Sequence, residues 1–422
     1  MTEAFLSFLW KYKLYKDNEW FSEGERVAIL HPGELNTDSG PDYFNVKIKI
    51  GNTIWVGNAE IHLKTSDWFR HGHDKNPAFD NVVLHITYED DMPAYTSKGI
   101  KIPSIVLQFN PLLEERFHQL MEQQRWIPCT NQIQNTDSVI ILSVLSKTGV
   151  ERLEFKTLQI LDNLNETVND WEEAFYRSLT RCFGFHINSQ PFEMLAKATP
   201  FKLLRKYRND SVKLEALLFG QAGLLNDDNR SDEYFSLLKT EYLFLKKKHS
   251  LHSIETHLWK FMRIRPGNFP TIRIAQLAAL IRNNYSFFTN ILEAENVSDL
   301  LILLTAEVND YWRSHYTFKN TTRDISKPLG DESAKNIIIN GIIPFYFIYG
   351  KSTGNYHFQN KAIQLLESLQ PEQNSIIEQW RTIGVIPKSA FDTQALLQLK
   401  SEYCDKKKCL QCGIGVKIIS SN

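Results

Sequence analysis

The spacing of apolar residues changes period once along the chain, near residue 137. Before that point the period is two. Phe44, Val46, Ile48 and Ile50 alternate with Asn45, Lys47 and Lys49, which predicts a strand with one buried face. Gly51-Asn52 is a two-residue hairpin signal, so residues 53–63 return as the partner strand. On the return, Glu60, His62 and Lys64 share one face and Ile61 and Leu63 the other. Around this hairpin the pattern predicts a helix over 3–15, a short strand over 27–30, an apolar strand over 82–88 interrupted by His85, a strand over 100–109 and a helix over 111–124. Residues 67–81 read as a short helix or loop ended by Asn76-Pro77.

After residue 137 the apolar positions recur at helical spacing, from 139–145 and 150–164 through to 390–399. The fold class expected is therefore mixed α+β: an N-terminal α/β domain over 1–130, an all-α domain over 137–402 and a short cysteine-rich tail over 403–422. The boundary is placed in the polar loop Pro128-Cys129-Thr130-Asn131-Gln132 and the residues after it. No fixed-period repeat marks a solenoid. The most apolar stretch, 337–349, is broken by Asn340, Gly341 and Pro344 and is too short to span a membrane.

A chain of 422 residues is too long for one ordinary core, and 42% hydrophobic with 23% charged residues is the composition of a soluble globular protein. The net charge of −1 excludes a whole-protein electrostatic footprint for nucleic acid, so any such partner needs local basic patches. Lys11, Lys13 and Lys16 interrupt the first apolar run, and no small-residue cleavage site follows it. Three of the five cysteines crowd at the C-terminus, unlike a secreted disulfide framework, and the cytoplasm is the expected compartment.

Chemistry concentrates at 40–85. Gly40-Pro41-Asp42 opens the first strand of the hairpin, which folds Asp42 back towards Glu60. Two carboxylates at one sheet edge repel unless a cation lies between them, and hard cations such as Mg²⁺ use one or two carboxylates. Asp42 and Glu60 are thus candidate ligands for Mg²⁺ or Mn²⁺, with His62 and Lys64 placed to orient water or stabilise charge. A polar strand face would give the same alternation. His71 and His73, an His-x-His pair, and His85 are secondary candidates, as outer-shell groups or phosphate contacts; their spacing is not that of a known zinc enzyme. In the tail, Cys404-x4-Cys409-x2-Cys412 suits zinc or an iron–sulfur cluster. Cys129, in the boundary loop, is the expected fourth ligand, because Cys182 lies on an apolar helical face. Arg263 and Arg265, around a Pro-Gly turn, and Arg273 form a cluster able to hold phosphates; solvated helix faces carry such runs too.

Pro41-Asp42 followed by Glu60-Ile61-His62 on the next strand resembles the PD-(D/E)xK pattern of restriction-endonuclease-like nucleases. The resemblance implies a restriction-endonuclease-like core over the N-terminal part, metal ligation by Asp42 and Glu60, and phosphodiester hydrolysis in DNA or RNA. His62 stands where that superfamily has lysine. The departure keeps open a second reading, a non-catalytic scaffold that binds nucleic acid or protein. Nearly end to end, through Gly40-Pro41-Asp42, Glu60-Ile61-His62, Asp67-Trp68, His71-Gly72-His73 and the cysteine tail, the chain also resembles an uncharacterised bacterial domain-of-unknown-function family, family 2851. That kinship implies no activity.

Overall fold

The first helix, α1 (Glu3–Lys11), starts where the Thr2 hydroxyl accepts from the Phe5 backbone N–H, and it buries Phe5, Leu6, Phe8, Leu9 and Trp10. It ends short of the expected residue 15. The chain then builds a mixed sheet from β1 (Trp20–Ser22), β2 (Glu25–His31), β3 (Glu34–Leu35), β4 (Tyr43–Ile50), β5 (Thr53–Lys64), β6 (Val82–Glu89) and β9 (Ser104–Val106), in the order β1-β2-β4-β5-β6-β9 with β3 beside β4. The short strands β7 (Ala94–Tyr95) and β8 (Lys101–Ile102) pair apart from it. β2, β4 and β5 are antiparallel neighbours; β5, β6 and β9 are parallel. A parallel pair needs a crossover. Here it runs through α2 (Asp67–Arg70) and two 3-10 turns, His73–Lys75 and Pro77–Phe79.

Two local features set the register. Ile50 and Thr53 pair across the Gly51-Asn52 turn, as expected. A bulge between Tyr43 and Val46 then places Asn45 at φ 56° and turns the alternation over. Tyr43, not Phe44, is the buried residue, with its hydroxyl 2.8 Å from the Ser7 hydroxyl on α1. At Gly57 an added Cβ would lie 2.4 Å from the Asn81 carbonyl, so glycine allows β6 to start against β5. One sheet face packs α1. The crossover covers the other, with Trp68 and Phe79 in a small cluster with Val82, Ala94 and Ile102.

The structure, a computed structural model, describes residues 1–16, 19–226, 232–319 and 321–421. It divides into two units. The first comprises Met1–Leu145, Thr382–Val385 and Leu399–Asn422; the second comprises Ser146–Arg381 and Ile386–Gln398. The tail thus belongs with the N-terminal unit rather than standing alone. The division falls inside helix α4 (Ser138–Glu166), which the Asp137 side chain caps, and not in the polar loop before it.

The second unit is helical. Its core collects aromatic side chains such as Phe175, Phe219, Trp312 and Phe345. The stretch expected to break at Asn340 and Gly341 instead runs on from Asp331 to Thr353 through a π-helical turn, Ile338–Ile342. Such a turn relieves the hydrogen bond that Pro344 cannot donate. Among the described residues no helix is long and apolar enough to cross a membrane.

Candidate functional site

The interest lies where the antiparallel part of the sheet becomes parallel. Asp42, just before β4, and Glu60, in β5, interlock. The Asp42 N–H donates to Glu60 Oε2 at 3.0 Å, and the Ile61 N–H donates to Asp42 Oδ2 at 3.0 Å. Burial, and then the charge of Glu60, push the Asp42 carboxyl up to about 6, against the lowering effect of the Ile61 hydrogen bond. The register of the parallel pair sets Glu60 opposite His85 and His62 opposite Thr87.

His62 is 1% exposed and sits within a chain of imidazoles. Its Nδ1 lies 2.8 Å from His85 Nε2, and its Nε2 lies 3.0 Å from His71 Nδ1. The crossover brings His71 and His73 over β5, so that ring nitrogens of His62, His71 and His73 fall within 4.8 Å of one another. Glu60 Oε1 lies beside two of these rings, 3.3 Å from His73 Nε2 and 3.9 Å from His62 Nε2. Burial and the neighbouring rings lower His62 to about 2, and burial lowers His85 to about 4. Both rings are therefore neutral at pH 7. His62 can ligate a cation there but cannot stand in for the positive charge of a lysine.

The donor set fits a metal ion. A metal–nitrogen bond of 2.0–2.1 Å puts adjacent ligand atoms about 3.0–3.4 Å apart, and the His62–His71 and Glu60–His73 separations match. Neutral imidazole is the ligating form. His85, hydrogen-bonded to the far nitrogen of His62, fixes ring orientation as outer-shell partners do. Buried atoms without a hydrogen-bond partner cluster here too: His85 Nδ1 and Asp74 Oδ1. Three imidazoles and a carboxylate suit Mn²⁺, Fe²⁺ or Zn²⁺ better than the all-oxygen preference of Mg²⁺.

Other expected residues sit elsewhere. Lys64 pairs with Glu89 at 2.8 Å across the β5–β6 register, with about half its side chain exposed. Arg263 and Arg265 are exposed in the helical unit. Arg273 is a correction to the phosphate-binding cluster. It is buried, its guanidinium donates to Gln276, Asn268 and Ser333, and it lies over the Phe185 ring, so no phosphate reaches it. A cleft of about 590 Å³ in the helical unit is lined by Phe261, Phe269, Phe318 and Lys319 among others, and among the described residues its lining holds no acid or histidine.

Three residues at the site escaped sequence reasoning. Glu3 on α1 is raised by burial and feels His71, Asp67, Glu60 and Arg70. Asp67 is buried and accepts from the Lys64 N–H at 3.1 Å. Arg70 pairs with Asp67 at 2.9 Å while 69% exposed, which puts a cation at the rim. Sequence reasoning names His71, His73 and His85 as secondary candidates; Glu3 carries no signal, lying on a helix far off in sequence.

Comparison with known proteins gives kinship without chemistry. No curated protein and no solved structure matches the chain. A family model described as "Protein of unknown function (DUF2851)" matches residues 3–375, and the chain belongs to that family.

Proposed function

We propose that the N-terminal unit is a metal-dependent hydrolase of phosphodiester bonds, a nuclease acting on DNA or RNA. The observation that carries this reading is the meeting of Asp42, Glu60, His62, His71 and His73 at one point on the sheet. The element order supports it: a helix, antiparallel strands, a helical crossover and a parallel strand, with the Pro41-Asp42 and Glu60-x-His62 segments on adjacent strands. Glu60, His62, His71 and His73 would hold a divalent ion, which would supply Lewis acidity at a phosphoryl oxygen and lower the pKa of a bound water. Asp42 locks Glu60 in place, His85 sets the His62 tautomer, and Arg70 offers a charge-assisted contact for a phosphate at the rim.

One observation favours the scaffold reading. Neither His62, neutral at pH 7, nor Lys64, engaged by Glu89, supplies the lysine charge of the motif. A cleavage assay separates the two. Single- and double-stranded DNA and RNA are incubated with the protein and Mn²⁺, Mg²⁺ or Zn²⁺. The nuclease reading expects Mn²⁺-supported cleavage that disappears in Asp42→Ala and His62→Ala. Metal binding without cleavage of any substrate supports the scaffold, and cleavage that survives both substitutions removes this site from the reaction.

A further inference from the structure

The C-terminal segment returns to the first unit, and three of its cysteines meet one from the boundary loop. Cys129 and Cys409 are buried, and Cys404 and Cys412 are partly buried. No disulfide joins any of them. Every pair among the four is close enough for thiolate repulsion. Cys404 feels Cys129, Cys412 and Cys409; Cys129 feels Cys412 and Cys409; and Cys409 feels Cys412.

The backbone is built to bring them together. The helix Gly413–Ser420 begins at Cys412 and packs on the 3-10 turn Cys409–Gln411. At Gly415 an added Cβ would lie 2.3 Å from the Cys409 carbonyl oxygen, so the helix approaches this closely only with glycine. On the other side, the Arg116 guanidinium donates to the carbonyls of Ile419 and Ser421. Lys407 Nζ donates to the Met121 carbonyl at 2.6 Å, and Lys400 Nζ lies 5.3 Å above the Trp126 ring. These contacts bind the tail to residues 116–126, immediately before Cys129.

We propose that Cys129, Cys404, Cys409 and Cys412 form a closed four-thiolate metal centre that staples the C-terminal segment to the N-terminal unit. Four sulfur donors select zinc or an iron–sulfur cluster. The two share the same ligand chemistry, four thiolates, and metal analysis separates them. The centre is structural: it closes a long loop, and its assembly is coupled to folding. It is separate from the histidine site and stands or falls without it.

The test begins with the full-length parent, purified without oxygen and analysed for iron, acid-labile sulfide and zinc. The expected result is bound metal: iron and sulfide in equal amounts, with a visible absorption band that bleaches on reduction, for a cluster, or one zinc per chain for a single ion. A parent holding neither metal overturns the centre itself. Each of Cys129→Ser, Cys404→Ser, Cys409→Ser and Cys412→Ser is expected to lose at least half of the bound metal, whereas Cys182→Ser, in the helical unit, keeps all of it. Full metal in Cys129→Ser removes the fourth ligand and, with it, the staple. Hydrogen exchange over 399–421 is expected to rise when the parent is stripped of metal, a readout that needs no variant to fold.

Discussion

At the scale of single residues, buried carboxyl groups give the most direct tests. Asp42 is held at about 6, above its ordinary 3.8, so the folded metal-free protein binds that proton more tightly than the unfolded chain. Its contribution to stability is therefore complete below about pH 4 and is lost as pH rises through 6. Asp42→Asn keeps an acceptor for the Ile61 N–H and removes the charge. Thermal unfolding of the metal-free variant should show it more stable than the parent at pH 7, by on the order of 2 kcal/mol, and equal to it near pH 4. A variant less stable at both pH values would contradict this. Glu215 in the helical unit repeats the argument in a different setting. Burial raises it to about 7 from 4.5, although the Tyr234 hydroxyl and the Trp312 indole both donate to its Oε2. Stability should fall between pH 5 and pH 7 by roughly 2 kcal/mol, and Glu215→Gln should abolish the fall, as read from denaturant midpoints across that range. Sequence reasoning reached Asp42, Glu60 and His62 because a turn and an alternating strand announce them. It did not reach Glu215, because a glutamate on a helix looks the same whether it faces water or the core.

Elements were legible where the period was clean. The hairpin around Gly51-Asn52, the β6 strand and helices such as Trp171–Phe183 and Pro270–Asn283 lie where periodicity put them. The bulge at Phe44-Asn45 was not visible, since alternation carries no sign of one extra residue, and it exchanged Tyr43 for Phe44 in the core. The Asp331–Thr353 helical run was missed because Gly341 and Pro344 look like breakers, and a π-helical turn admits them. Close packing of the parallel pair rests on Gly57. Gly57→Ala puts a methyl group against the Asn81 carbonyl and the Val83 side chain and should cost about 2 kcal/mol in unfolding free energy, with faster hydrogen exchange in β6. A change below 0.5 kcal/mol would show that the strands separate easily there. The crossover holds two of the three histidines, so a loosened β5–β6 pair should weaken metal binding as well.

At the scale of the whole chain, sequence patterning separated a mixed N-terminal part from a helical remainder. It left the tail as a separate piece because long-range return leaves no local trace. Only the cysteines hinted at it, through the missing fourth ligand. The two units make separate predictions: Cys404→Ser should raise hydrogen exchange in the first unit and leave the second unit's core helices unchanged. The central claim is the metal site at Glu60, His62, His71 and His73, and Mn²⁺ titration into metal-free protein by calorimetry tests it most directly. Mn²⁺ prefers nitrogen and oxygen donors to thiolates, so the cysteines compete little for it. The account predicts one Mn²⁺ per chain, with affinity lowered by about a hundredfold or more in both Glu60→Gln and His62→Ala. Unchanged Mn²⁺ affinity in those two variants would contradict it.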